Sequence, residues 1–314
     1  LYLIAEAAYG GNVIMFRSKK GSSAVFFAII LGAIAGCAAL AIDIGAVIAE
    51  KSRLSSAIDA AALAGAQELV TDASNTENIV NSYILKNSGA LKQVNISIDT
   101  TAKTIEVKGT KTVEYYFAKI LGSDMQDISA QAEAKVENIK SLSGVRPLAI
   151  VNQTFEYGKL YTLKEGAGDG TSGNYAAMAL GGTGASLYRD NLLYGYGGTI
   201  SVGDTIETET GNIAGTTETC INHLINDCTH TPQCTYTYYN KTCPRIIFVP
   251  IVNTLDINGR KHVKVLGFGT FFLEGVTRHS GQADVIGRFI TYHANGETSS
   301  DINDYGTYGI RLVK

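Results

Sequence analysis

The sequence predicts an α+β protein: an N-terminal transmembrane helix that continues into a long helix with a small antiparallel sheet, followed by a mainly antiparallel β domain. Three observations predict it. Residues 24–42 read AVFFAIILGAIAGCAALAI, nineteen residues with no charged side chain. Residues 42–70 are rich in Ala and repeat Leu54, Ile58, Ala61 and Gly65 at helical spacing. From Val94 onward, short runs alternate apolar and polar residues between Gly-rich turns.

The chain has 314 residues, enough for two modest domains besides an anchor. Its net charge of −3 excludes the basic footprint expected of a nucleic-acid binder. Charged residues make up 18%, below the usual quarter, while Gly (34) and Tyr (17) are abundant and Trp is absent. That balance points to an exported, β-rich surface rather than a cytosolic enzyme.

The apolar run has the length a helix needs to cross a hydrocarbon core of about 30 Å. It is apolar on every face, which a core helix of a soluble domain does not require. A cleaved signal peptide is the rival reading, with cleavage after Gly36 or Ala39. The run exceeds the usual h-region and the sequence continues as helix, which favours an uncleaved anchor. Arg17, Lys19 and Lys20 precede the run; Lys51 and Arg53 follow it. The positive-inside rule therefore favours a cytoplasmic N-terminus. Residues 1–14 are either a short cytoplasmic tail or a start-site artefact, because Met15 opens a natural start for an anchored protein.

Residues 42–70, IDIGAVIAEKSRLSSAIDAAALAGAQELV, contain no Pro and many Ala, the best helix former. The membrane helix should run outward to about Val70. Small residues on it allow close approach of a partner helix or of the chain's own later domain. Asp43 sits at the outer edge of the apolar span. Its carboxylate is either interfacial or paired within a helix contact.

These residues resemble the N-terminal module of TadG-like proteins of the Tad (tight adherence, Flp) pilus machinery. The resemblance rests on Gly21 after basic residues, the apolar span, Ala41-Ile42-Asp43-Ile44-Gly45, and Asp59-Ala-Ala-Ala-Leu63-Ala-Gly65-Ala. It implies a single-pass cytoplasmic (inner) membrane protein of pilus assembly with its bulk extracytoplasmic. Gly21, Asp43, Gly45, Asp59, Leu63 and Gly65 are the residues it marks for anchoring and partner-helix contacts. The implied partners are the membrane, other Tad pilus-assembly proteins or pilus subunits, and further copies of the chain through the small-residue helix. Prepilin processing is not implied, because Phe26 stands where a prepilin carries Glu. Longer TadG-like proteins carry a von Willebrand A domain. The nearest string to its metal motif here, Asp72-Ala-Ser74-Asn-Thr76, follows a helix rather than a strand and reads as a helix-end turn. The chain looks like a shorter form without that domain.

The pattern divides the chain into a cytoplasmic N-terminus (1–21), a transmembrane helix (22–49), an extracytoplasmic α+β module (50–140) and an extracytoplasmic β-rich domain (145–314). In the module, residues 76–90 predict a short helix, and 94–99, 104–109 and 128–138 alternate as strands. Asp99-Thr-Thr-Ala-Lys103 suits a hairpin loop, and 114–122 reads as a short helix. A long helix on a small antiparallel sheet is pilin-like in outline. In the β-rich domain, strands are predicted at 148–155, 159–164, 199–202, 245–252, 261–276, 284–293 and 308–314. A phrase there also resembles shorter TadG/TadE-like proteins: Gly184, Ser186, Tyr188, Arg189, Asp190, Asn191, Gly203, Asp204, Glu209, Gly211, Asn212 and Gly215.

Three features could carry chemistry. Leu180-Gly-Gly-Thr-Gly-Ala-Ser186 lacks the Lys-Ser/Thr of a phosphate loop and reads as turns. The groups Asp169/Asn174/Asp190 and Asp301/Asn303/Asp304 lack the EF-hand pattern and read as solvated loop acids. Cys220, Cys228, Cys234 and Cys243 form an even, clustered set, with His223 and His230 among them. In an exported domain disulfides fit this set best, with pairing open. Zinc is the alternative, though only Cys220/His223 and the shorter-spaced Cys228/His230 approach its usual ligand spacing. His279-Ser280 lies in no nucleophile-elbow context. No catalytic residue, cofactor or resident metal is expected. The expected function is a membrane-anchored, non-enzymatic component of Tad/Flp-type pilus assembly or surface attachment. An adhesin or envelope-binding module unrelated to a pilus is the alternative, and an anchored hydrolase the third class.

Overall fold

The computed structural model describes residues 22–165, 174–209, 213–255, 262–279 and 281–313. Gly21, Asp169, Gly211, Asn212, Ser280 and the segment expected to be cytoplasmic lie outside them. The chain is α+β with mainly antiparallel pairing in its C-terminal part, as its pattern predicts. The described residues fall into two compact units, one up to Ser52 with Lys111–Ile128, the other Arg53–Thr110 with Ser129 onward.

Helix α1 spans Ser22–Thr71 as one unbroken element of 50 residues. High Ala content and the absence of Pro sustain it. It ends where the Asp72 carboxylate accepts from the Ser74 N–H (3.0 Å) and hydroxyl (2.6 Å). The Asp72-Ala-Ser74 string is thus a helix-end turn. Helix α2, Thr76–Ser88, closes at Gly89, whose φ of 72° suits glycine and whose N–H bonds the Leu85 carbonyl.

In the second unit, Leu54, Ala57, Ile58, Ala61, Ala62, Gly65, Ala66 and Leu69 of α1 are buried in a stripe of helical period. The small residues permit close packing inside this chain. A Cβ on Gly65 would stand 2.6 Å from both Ile105 Cδ1 and Val80 Cγ2. Ile105 belongs to β2 (Thr104–Glu114), which pairs antiparallel with β1 (Gln93–Asp99), Asp99 facing Thr104. The intervening turn forms as expected: the Asp99 carboxylate accepts from the Thr101 and Ala102 N–H groups.

Strand β3, Met125–Ser143, alternates buried Ala130, Ala132, Ala134 and Val136 with less buried neighbours. The sheet it organises is larger than the sequence indicated. It recruits β7 (Thr199–Ser201), β12 (Tyr292–His293), β13 (Gly296–Ser299) and β14 (Thr307–Leu312) in the order β1-β2-β3-β14-β12, with β7 and β13 also on β3. Ile310 faces Val136, a pairing across more than 170 residues that local pattern cannot specify. The helix expected over 114–122 is shorter, a 3-10 turn at Ala118–Leu121 ended by Gly122 at φ 86°.

The second sheet runs β11-β5-β6-β4-β9-β10-β8. Its strands are β4 (Leu148–Val151), β5 (Leu160–Glu165), β6 (Asn174–Ala177), β8 (Thr205–Glu207), β9 (Ile246–Val252), β10 (His262–His279) and β11 (Gln282–Ile290). Because β11 also pairs with β10, six of these strands close into a ring, which removes the edges an open sheet would expose. The pairs β4/β9 and β5/β6 are parallel and the others antiparallel. Register shifts near Gly267 and Gly275 bend the long β10 so that it serves three neighbours. Two helices absent from the sequence expectation pack on this core: α3 (Ala185–Tyr194) and α4 (Ala214–Asn226). Buried Tyr188 and Thr217 join them through a 2.8 Å hydroxyl contact.

Candidate functional site

The first constellation is on α1 in the first unit. Asp43 is 2% exposed, although it lies on a helix whose apolar span is bare. Its Oδ1 accepts from the Tyr116 N–H at 2.7 Å, and its Oδ2 from the Ala118 N–H at 2.7 Å. The Phe117 N–H reaches both oxygens. These are the orphan donors of the 3-10 turn, so a carboxylate from a distant element caps it. Glu50, two helical turns on from Asp43, pairs with Lys111 at 2.9 Å. The same face carries Gly36, Ala39 and Leu40, which with Phe117, Ile120 and Leu121 line an apolar recess of about 210 Å³. Ile120 and Leu121 are 83% and 88% exposed. The loop thus adds apolar surface beside the apolar helix.

The residues expected to contact a partner helix divide in use. Asp43 and Gly65 are engaged by the chain's own loop and strand. Gly45 is exposed, with open space where a Cβ would stand. Asp59 and Leu63 are half-buried.

The second constellation is a cleft of about 360 Å³ in the second unit, lined by Gln67, Glu68, Tyr83, Tyr238, Lys241 and His293 among others. His293 Nε2 is 2.8 Å from the Gln67 carbonyl and donates to it as the neutral ring. Lys241 Nζ donates to Gln67 Oε1 at 3.2 Å. Burial lowers His293 to about 4; the bond to Gln67 opposes this and nearby Lys241 adds to it. In the unfolded chain an imidazole titrates near 6.5. The unfolded state therefore binds the extra proton between those values, and stability falls as pH drops from 6.5 toward 4. The expected loss from this group is about 2 kcal/mol at most between pH 7 and pH 5. His293→Gln, which keeps a donor, should flatten that limb of a denaturant-monitored stability profile. Glu137, held at about 2 by Arg311 against burial with bonds from Thr298 and Lys135 adding to the effect, is ionised in both states across this limb and adds its own loss only below about pH 4.5.

The third constellation is the cysteine segment. No two of Cys220, Cys228, Cys234 and Cys243, where disulfides are expected, stand at bonding distance in the structure; the Cys228 and Cys243 Sγ atoms are 3.4 Å apart. Cys220 is separated from the rest because it is an apolar member of the α4 stripe with Thr217, Ile221 and Leu224, inside the barrel-side core. His223 faces Asp227 at 3.3 Å on the same helix. Cys228, Cys234 and Cys243 instead share a cluster with Phe272 and Ile290, flanked by Tyr236, Tyr239 and Tyr292. Together with His230 they place one potential ligand atom each within 4.8 Å of one another. Burial raises the Cys228 thiol, but bonds from His230, the Cys234 N–H and the two neighbouring sulfurs outweigh it and lower the group; burial pushes Cys243 up.

The other sequence features are structural. The Gly184 N–H bonds Glu209, an acid, which is no phosphate cradle. Tyr188 and Asn191 are buried, Asn191 holding the Leu180 carbonyl at 2.8 Å, while Arg189 and Asp190 pair in solvent. Asp304 is taken up by Lys103, the Tyr308 hydroxyl and the Gly306 N–H.

Fold and sites together define a chain with, among the described residues, one helix long and apolar enough to cross a membrane, carried by an α+β protein whose helix is seated on its own loop and strand. Residues 21–68 match the Tad family model, described as Flp pilus-assembly TadE/G-like. The match covers the apolar span, Asp43 and the Asp59–Gly65 frame. No curated protein and no solved structure matches the chain.

Proposed function

We propose that this chain is a membrane-anchored, non-enzymatic component of Tad/Flp-type pilus assembly or surface attachment, acting through protein–protein contacts outside the membrane. The observation that carries the reading is the Tad match over residues 21–68, laid on a helix whose most apolar window has mean hydropathy 2.7 and none of it buried. The helix anchors the chain in the cytoplasmic membrane with its N-terminus inside. The exposure of Tyr116, Ile120 and Leu121 supports an interfacial position for the capped loop. Gly45, exposed and unhindered like Gly32 and Gly36, is open to a neighbouring helix; Gly65 and the Ala stripe serve the chain's own fold. Deleting the gene in its host is expected to abolish pili seen by electron microscopy, with rescue by the intact chain. A version whose residues 22–49 are replaced by an unrelated span of equal length should not rescue. Normal piliation and attachment after deletion would remove the reading.

A further inference from the structure

We propose that Cys228, His230, Cys234 and Cys243 bind one zinc ion in a tetrahedral three-cysteine, one-histidine centre. The distances fit before any ion is considered. Bonds of about 2.3 Å to sulfur and 2.0–2.1 Å to nitrogen put tetrahedral ligand atoms about 3.8 Å apart for two sulfurs and about 3.6 Å for sulfur and nitrogen. Cys228 and Cys243 Sγ are 3.4 Å apart, and Cys228 Sγ lies 3.7 Å from His230 Nδ1. A disulfide needs about 2.05 Å. The donor set is soft and lacks carboxylate, which selects zinc over calcium or magnesium.

The surroundings complete the site. The Asn240 N–H points at Cys234 Sγ at 3.4 Å, the bond that orients a metal thiolate. Three thiolates and one Zn²⁺ sum to a single negative charge. Arg245, buried on the Phe272 ring at 4.4 Å and bonded to the Cys234 carbonyl at 2.9 Å, supplies the nearby positive charge. Loading releases the thiol protons and leaves the imidazole neutral, so uptake strengthens as pH rises.

The centre has a structural consequence. Its ligands bracket residues 235–242, and Tyr238, Tyr239 and Lys241 of that loop line the cleft with the α1 residues Gln67 and Glu68. Zinc therefore holds one wall of the cleft, including the Lys241–Gln67 contact.

The test is metal analysis of the full chain, purified in detergent from zinc-supplied cells. One zinc per chain is expected, lost in Cys234→Ser and Cys243→Ser and kept in Cys220→Ala. Cobalt substitution should give intense visible bands of a tetrahedral, sulfur-rich site. Alkylation of the unaltered chain reads the site without any variant: Cys228, Cys234 and Cys243 should react only after chelation. A metal-free chain overturns the proposal, whether those cysteines are then freely alkylated or found joined by disulfides under non-reducing mass spectrometry. Zinc that persists in both serine variants overturns it as well.

Discussion

Asp43→Ala is expected to release the 115–124 loop from α1 and to raise its cleavage by chymotrypsin about 10-fold or more. The carboxylate is the common acceptor of the Tyr116, Phe117 and Ala118 N–H groups, and alanine leaves all three without it. Tyr115, Tyr116, Phe117 and Leu121 supply the cleavage sites. Asp43→Asn keeps one carbonyl acceptor and should fall between the two. If the alanine variant is cut no faster than the unaltered chain in the same detergent, the carboxylate does not hold the loop. In a strain lacking the gene, Asp43→Ala is also expected to restore fewer pili than the intact chain. Glu50→Gln, which weakens a partly buried pair with Lys111, should restore more pili than Asp43→Ala does.

Phe289→Ala is expected to destabilise the second unit by about 3–5 kcal/mol. The ring is fully buried, with centroids of Phe155, Phe271 and Tyr161 at 4.1, 5.0 and 5.2 Å. Its strand β11 closes the six-stranded ring by pairing with β10, so the void would open at the seam. Urea unfolding followed by tyrosine fluorescence measures the loss. A cost below about 1 kcal/mol would mean that these rings repack freely, contrary to a close-packed core.

What could be read from the sequence follows the range of the physics involved. The apolar helix, its continuation to about Val70 and the 99–103 turn depend on residues within a few positions of one another, and all three are present. Sheet partners depend on closure across long loops, so β3 was legible as a strand while its pairing with β14 was not. Helix α4 is legible by the same rule: Thr217, Cys220, Ile221 and Leu224 follow helical spacing, and Cys220 belongs to that apolar stripe and not with the other cysteines. With Cys220 in the stripe and His223 on its own helix, three cysteines and His230 remain in one place out of the six soft ligands the sequence offers. Asp43 was legible as special from its position, but the N–H groups that donate to it lie more than 70 residues away, and only the fold brings them to it.

The place of β14 has a bearing on how the molecule is made. Strand β3 is paired on one side by β2 and on the other by Thr307–Leu312. A polypeptide emerging N-terminus first has its apolar helix and β3 long before residue 307 is available. Until then one side of β3 remains an open edge, and the first sheet waits for nearly 170 further residues. The first sheet is therefore finished last: residues 134–138 of β3 gain their partner only when the far end of the described chain arrives.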